Sequence, residues 1–191
     1  MSPTLLSKAR PTIILDTNLL FPASTRDLFV HLAIEGFFEL LIPKVALEEL
    51  GRTLQASGVI SEENATLIEQ KLEAVFGSIT APRWREAGSY TSDQNDWFLV
   101  ECVRSFRPEF LVTRNTKDFA PLILDTRVIS GATFLRDLFY DNRETFMREI
   151  SAIVSRYQNP KVSIERYIAA LQVQGFDWLE QEPPENQPSM S

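Results

Sequence analysis

The chain reads as an α/β protein built on a parallel sheet covered on both faces. Short apolar runs at 12–16, 37–42, 109–113 and 126–130 show little hydrophilic alternation, as strands buried on both sides require. Longer segments with apolar residues near the helical period lie between most of them. Acidic residues follow several of the strand ends, the edge where such sheets bind ligands.

In chain order, "TIILD" (12–16) is the first strand. A helix is expected over 24–36, with Ser24 as its cap, Asp27 three residues on, and Gly36 as its stop. "FFELLI" is the second strand, ended by Pro43. Helices follow over 44–57, where Leu47, Leu50 and Leu54 mark the stripe, and over 61–77. "SITAPRW" (78–84) reads as a short strand and loop, and 92–106 as a helix with Phe98, Cys102 and Phe106 four residues apart. "EFLVT" and "TRVIS" are the third and fourth clear strands, joined by the polar loop 114–121. Three helical segments follow, at about 132–139, 142–157 and 163–175. The division expected is an α/β domain over 11–140, a helical extension packed on it over 141–178, and a polar, proline-rich tail over 179–191 with little to bury.

The bulk numbers narrow the chemistry. No apolar run is long enough for a membrane span, and "MSPTLLSKARPT" lacks the apolar core of a signal peptide. With a single cysteine, Cys102, there is no disulfide framework or thiolate cluster. A cytoplasmic location is the default expectation. His31 is the only histidine, so an HExxH zinc site or a two-histidine acid–base pair is excluded, and a Ser-His-Asp triad would depend on this one residue. A net charge of −7 argues against a surface that attracts nucleic acid everywhere. It leaves room for a nuclease whose own carboxylates lower the sum.

Four acids point to one edge. Asp16 ends the first strand, Glu49 lies early in the helix after the second, Asp96 opens the helix that leads back to "FLVT", and Asp118 follows that strand. Each has a local alternative: Asp16 and Asp96 as helix caps, Asp118 as a turn residue, Glu49 as a solvated helix charge, with Glu48 its competitor. Asp93 reads as a cap. Carboxylates crowded at one edge repel and raise one another's pKa, which a divalent cation offsets. An all-oxygen donor set favours Mg²⁺ or Mn²⁺, the usual equipment for phosphodiester hydrolysis. A polyanionic phosphodiester substrate would need positive groups around such a centre; Arg114 and Lys117 flank it most closely, with Arg26, Arg52, Arg83 and Arg85 as further candidates.

The stretches "ILDTNLLFP", "STRDLFVHLA", "IPKVALEEL", "DQNDWFLVECV" and "FLVTRNTKDF" resemble, in order and spacing, the PIN domain family and within it the VapC-type toxin ribonucleases. The resemblance covers about 11–125. It implies a three-layer α/β/α sandwich with a central parallel sheet, and metal-dependent cleavage of single-stranded RNA. Asp16, Glu49, Asp96 and Asp118 match the family's four acids, with Asp16, Asp96 and Asp118 as metal ligands. Asn18, Thr113 and Asn115 match its supporting polar positions. A toxin would have a cognate antitoxin protein as partner, and a homodimer is open. Two departures stand out: the helical extension past about residue 140, and Trp97 beside the third acid, where it would narrow the cleft.

Three rivals remain. A processing nuclease shares the fold without being a toxin, and a PIN-fold binding module keeps it without catalysis. An aspartyl-phosphate phosphatase wants a second acid two residues after the first, and here that position is Asn18.

Overall fold

The computed structural model describes residues 10–180. Five strands form one sheet: β1 (Thr12–Leu15), β2 (Glu39–Leu41), β3 (Phe110–Thr113), β4 (Leu122–Ile123) and β5 (Thr126–Ser130), in the order β2-β1-β3-β5-β4. Four run parallel, and β4 pairs antiparallel with β5. The sequence reading missed this edge strand. It is two residues long, too short to leave a pattern.

The sheet separates two cores. Successive residues of a strand point to opposite faces, so Ile13, Leu15, Phe110 and Val112 enter one core while Ile14, Leu111 and Val128 enter the other. The larger core is closed by α1 (Thr17–Leu20), α2 (Ala23–Ile34), α3 (Lys44–Ser57), α4 (Glu62–Phe76) and α6 (Gly131–Asp141). Phe134 sits at its centre, with ring centroids 5.2 Å from Phe38, 5.8 Å from Phe110 and 6.3 Å from Phe29. The smaller core lies under α5 (Trp97–Phe106), through Leu99, Val100 and Val103. Helices on both faces of a mostly parallel sheet make the three-layer α/β/α sandwich that the sequence predicts.

α7 (Arg143–Ser155) and α8 (Ile164–Val173) pack on α2, and their buried Phe146, Ile150 and Leu171 continue the larger core. A 3₁₀ turn over Asp177–Glu180 seats Trp178 against Phe139 and Phe146. The tail expected from 179 otherwise lies outside the described residues. Among the described residues, no helix is long and apolar enough to cross a membrane.

Two helix starts differ from the sequence reading. α2 begins at Ala23 with Pro22 as its N-cap, so Ser24 falls inside the first turn and does not cap. Proline's fixed φ suits a helix entry. The helix expected over 92–106 opens instead as a 3₁₀ turn, Gln94–Asp96, before α5.

Candidate metal centre at the carboxyl edge of the sheet

Asp16 follows β1, a central strand, so its side chain emerges between neighbours at the carboxyl edge. Only 6% of it is exposed. Asn18 Nδ2 and Thr113 Oγ1, the latter from the end of β3, both donate to its Oδ2 at 2.6 Å. Asn18 also donates to Thr113 Oγ1 at 3.2 Å and accepts from the Arg114 amide at 3.2 Å. This brace fixes the carboxylate and leaves Oδ1 without a side-chain donor among the described residues. Burial pushes the pKa of Asp16 up, the Thr113 hydrogen bond pulls it back, and the Glu49 charge raises it again.

Glu49 is half-buried while Glu48 points to solvent, which decides between the two. Thr17 Oγ1 donates to Glu49 Oε2 at 2.9 Å, tying α3 to the start of α1. Thr17 is the positioning residue that the sequence reading missed. Its partner is 32 residues away, beyond any local signal.

The cap readings separate. Asp93 accepts from the Asn95 amide at 2.8 Å and is a cap. Asp16 and Asp96 occupy N-cap positions, yet neither side chain makes a capping bond. Among the described residues no basic side chain forms a salt bridge with Asp16, Glu49, Asp96 or Asp118. Asp96 is pushed up to about 7, first by burial and then by the charges of Asp16, Asp93, Asp118 and Glu49. The four predicted acids therefore face one another across one edge, with no salt bridge to a basic side chain among the described residues. Their oxygens do not close on a single point. Among the described residues, the three-residue group with ligand atoms all within 4.8 Å is His31, Glu35 and Glu149, on α2 and α7. Like-charged carboxylates hold apart; His31 instead has a hydrogen-bonding partner, with Nε2 3.1 Å from Glu149 Oε2. His31 is 3% exposed and joins two helices.

The other predicted residues differ in their use. Thr113 is buried at the brace. Asn115 contributes its amide to Thr113 Oγ1 at 3.0 Å, while its exposed side chain makes no hydrogen bond among the described residues. Lys117 is exposed beside Asp118. Arg114 is exposed and donates to Gln174 Oε1, at the end of α8, at 2.5 Å. Partial burial there lowers its pKa. Arg26 is spent internally, donating to the Leu20 and Phe21 carbonyls. The Trp97 ring leans on Gly88, where an added Cβ would lie 2.9 Å from the ring, so it packs in the smaller core instead of simply narrowing the cleft.

An all-carboxylate set with no salt-bridged cation among the described residues suits a hard divalent cation, and Asp16, Asp96 and Asp118 would hold it. Comparison with curated proteins and with solved structures gave no match in either case. The family model for the PIN domain matches residues 12–117, a span that runs from β1 through the loop after β3 and contains Asp16, Glu49 and Asp96. The chain belongs to the PIN domain family, whose members are generally nucleases.

Proposed function

We propose that the protein is a Mg²⁺- or Mn²⁺-dependent endoribonuclease that hydrolyses phosphodiester bonds in single-stranded RNA. The observation that carries this reading is the unspent carboxylate of Asp96. Among the described residues it makes no cap and no salt bridge, and three other acids of the edge act on its charge.

When bound, the cation supplies a lowered pKa for an attacking water and neutralises charge on the phosphate. The chain's own groups do the rest. Asn18 and Thr113 hold Asp16 through Oδ2, so its Oδ1 is presented to the cleft in one orientation. Thr17 holds Glu49 through Oε2, leaving Oε1 to accept a proton from water. Arg114 and Lys117, exposed on the loop after β3, offset the repulsion between RNA and the acids. Water adds to phosphorus, one P–O bond breaks, and the leaving oxygen takes up a proton.

Within this function we assign the protein to the toxin side of a type II toxin–antitoxin pair, acting in the cytoplasm with a cognate antitoxin protein. That assignment rests on the resemblance of "ILDTN" and "LVTRNTKDF" to VapC-type toxins. The test is cleavage of an end-labelled single-stranded RNA panel with Mg²⁺, Mn²⁺ or EDTA, by wild type and Asp16→Asn. Metal-dependent cleavage lost in the variant is expected. Binding of RNA without cleavage under any metal would leave a docking module in its place. Growth arrest on expression, relieved by Asp16→Asn, tests the toxin assignment separately.

A further inference from the structure

A cavity of about 340 Å³ opens beside the acidic edge. Pro43, Ile79, Ala81 and Phe98 give it apolar walls, and Gln94 and Asn95, in the same 3₁₀ turn as Asp96, stand at its rim. It lies where β2 ends and α3 begins, next to the strand that presents Asp16. Its volume falls in the range of small-molecule sites. Three ionisable groups line it: Glu101, on the face of α5 that also carries Phe98, the exposed Arg83, and the buried thiol of Cys102.

Glu101 is only 3% exposed. Its Oε1 accepts from the Trp84 amide at 3.0 Å, which fixes the carboxylate. Its only cationic neighbour among the described residues is the exposed Arg83, whose Nη1 stands 3.8 Å from Oε2. That contact is too long for a hydrogen bond. Oε2, and one lone pair of Oε1, remain to accept. A buried carboxylate with unused acceptors, in an apolar slot of this size, calls for a flat ligand with two adjacent donors. Among nucleobases only guanine offers that pair, N1–H and the 2-amino group. Adenine and cytosine set a ring-nitrogen lone pair beside their amino group, and uracil flanks its N–H with carbonyls; either arrangement faces a carboxylate unfavourably.

We infer that this cavity is a guanine-binding subsite, with Glu101 pairing to N1–H and the 2-amino group of one base of the RNA strand. The part of this inference that concerns RNA rests on the nuclease reading; the binding of the base does not. The subsite would place a guanine next to the cleaved bond and make cleavage guanine-dependent.

The test is a ¹H–¹⁵N titration of the full chain in EDTA with the nucleosides guanosine, inosine, adenosine, cytidine and uridine. No phosphate or metal is involved, so the acidic edge does not enter. Guanosine should shift the amides of 79–83 and 94–102. Inosine, which lacks the 2-amino group, should bind about tenfold more weakly, the cost of one hydrogen bond to a charged group. Glu101→Gln keeps an acceptor for the Trp84 amide but sets a donor against guanine, and should remove the preference for guanosine over inosine. Ala81→Leu, which fills the cavity from another of its lining positions, should abolish the shifts and guards against a Glu101 variant that folds poorly. In cleavage, RNA lacking guanine should be spared. Equal binding of all five nucleosides, or shifts outside the cavity, would overturn the subsite while leaving metal-dependent cleavage intact. Guanosine binding without cleavage of any RNA would keep the subsite and remove the nuclease.

Discussion

Replacing Asp96 with asparagine removes one charge from a set that repels. Asp96 is pushed from an ordinary 3.8 to about 7 in the folded chain. Between those two values the folded state binds a proton that the unfolded chain has released, so stability falls as pH rises through the interval. Above about 7 the loss is complete and the curve flattens. A shift of this size corresponds to about 4 kcal/mol at ~1.4 kcal/mol per pKa unit. The site is half-buried and partly screened, which reduces it to about 2 kcal/mol. Asparagine carries no charge, and no capping bond is lost because Asp96 makes none. In EDTA at pH 8, Asp96→Asn should therefore be more stable than wild type by about 2 kcal/mol. For a chain of 191 residues that is a rise in Tm of roughly 4–8 °C. The gap should shrink steadily as pH falls from 7 to 4. Added Mn²⁺ should reverse the order: wild type gains about 2.7 kcal/mol at ~100 times Kd, and the variant gains little. Melting curves from pH 4 to 8, with EDTA and with Mn²⁺, read both effects. Parallel pH curves for the two proteins would refute the raised pKa of Asp96, to which burial contributes most and the neighbouring acids next. An equal Mn²⁺ response would remove Asp96 from the ligand set.

Three further outcomes are expected. Thr17→Val removes the donor to Glu49 Oε2 and should lower kcat about tenfold or more, the worth of a hydrogen bond to a charged group, with Tm nearly unchanged; steady-state kinetics on a labelled RNA checks it. Gly131→Ala places a Cβ 2.9 Å from Leu19 Cδ2 and 3.5 Å from the Phe29 ring, and should destabilise by about 1–3 kcal/mol through overpacking, read by urea denaturation. Cys102 is buried and its thiol is pushed up to about 12, chiefly by desolvation and then by Glu101; it should react with a thiol reagent at pH 8 only in denaturant.

Much of the fold was legible because strand and helix periods survive in a single sequence. The run "KVALEELGRTLQAS" marks α3 from its proline cap to its glycine stop, and the structure ends it at Ser57. "TRVIS" marks β5 without error. What failed was short or non-local. α1 is four residues of helix directly after a strand, less than one full period of pattern. The site shows the same division. Asp16, Asn18 and Thr113 were visible as polar residues at strand ends, but their hydrogen bonding spans 97 residues and only the sheet brings them together. The sequence reads Asp93 as a cap and leaves Asp96 between cap and ligand; the structure shows that the first caps and the second does not. Gln174 carried no signal at all, since its contact to Arg114 crosses 60 residues.

Because β1 lies inside the sheet, between β2 and β3, its two sides are closed at very different moments of synthesis. β2 follows within about a few seconds of elongation, whereas β3 arrives some 70 residues after β2. Until Thr113 has left the ribosome, Asp16 has one strand beside it and lacks half of its brace. The nascent chain thus carries the first acid of the edge through most of its own translation without the geometry to use it. A chain with the proposed ribonuclease activity would be made in the midst of messenger and ribosomal RNA, and this order of assembly delays its acidic edge until most of the chain has been made.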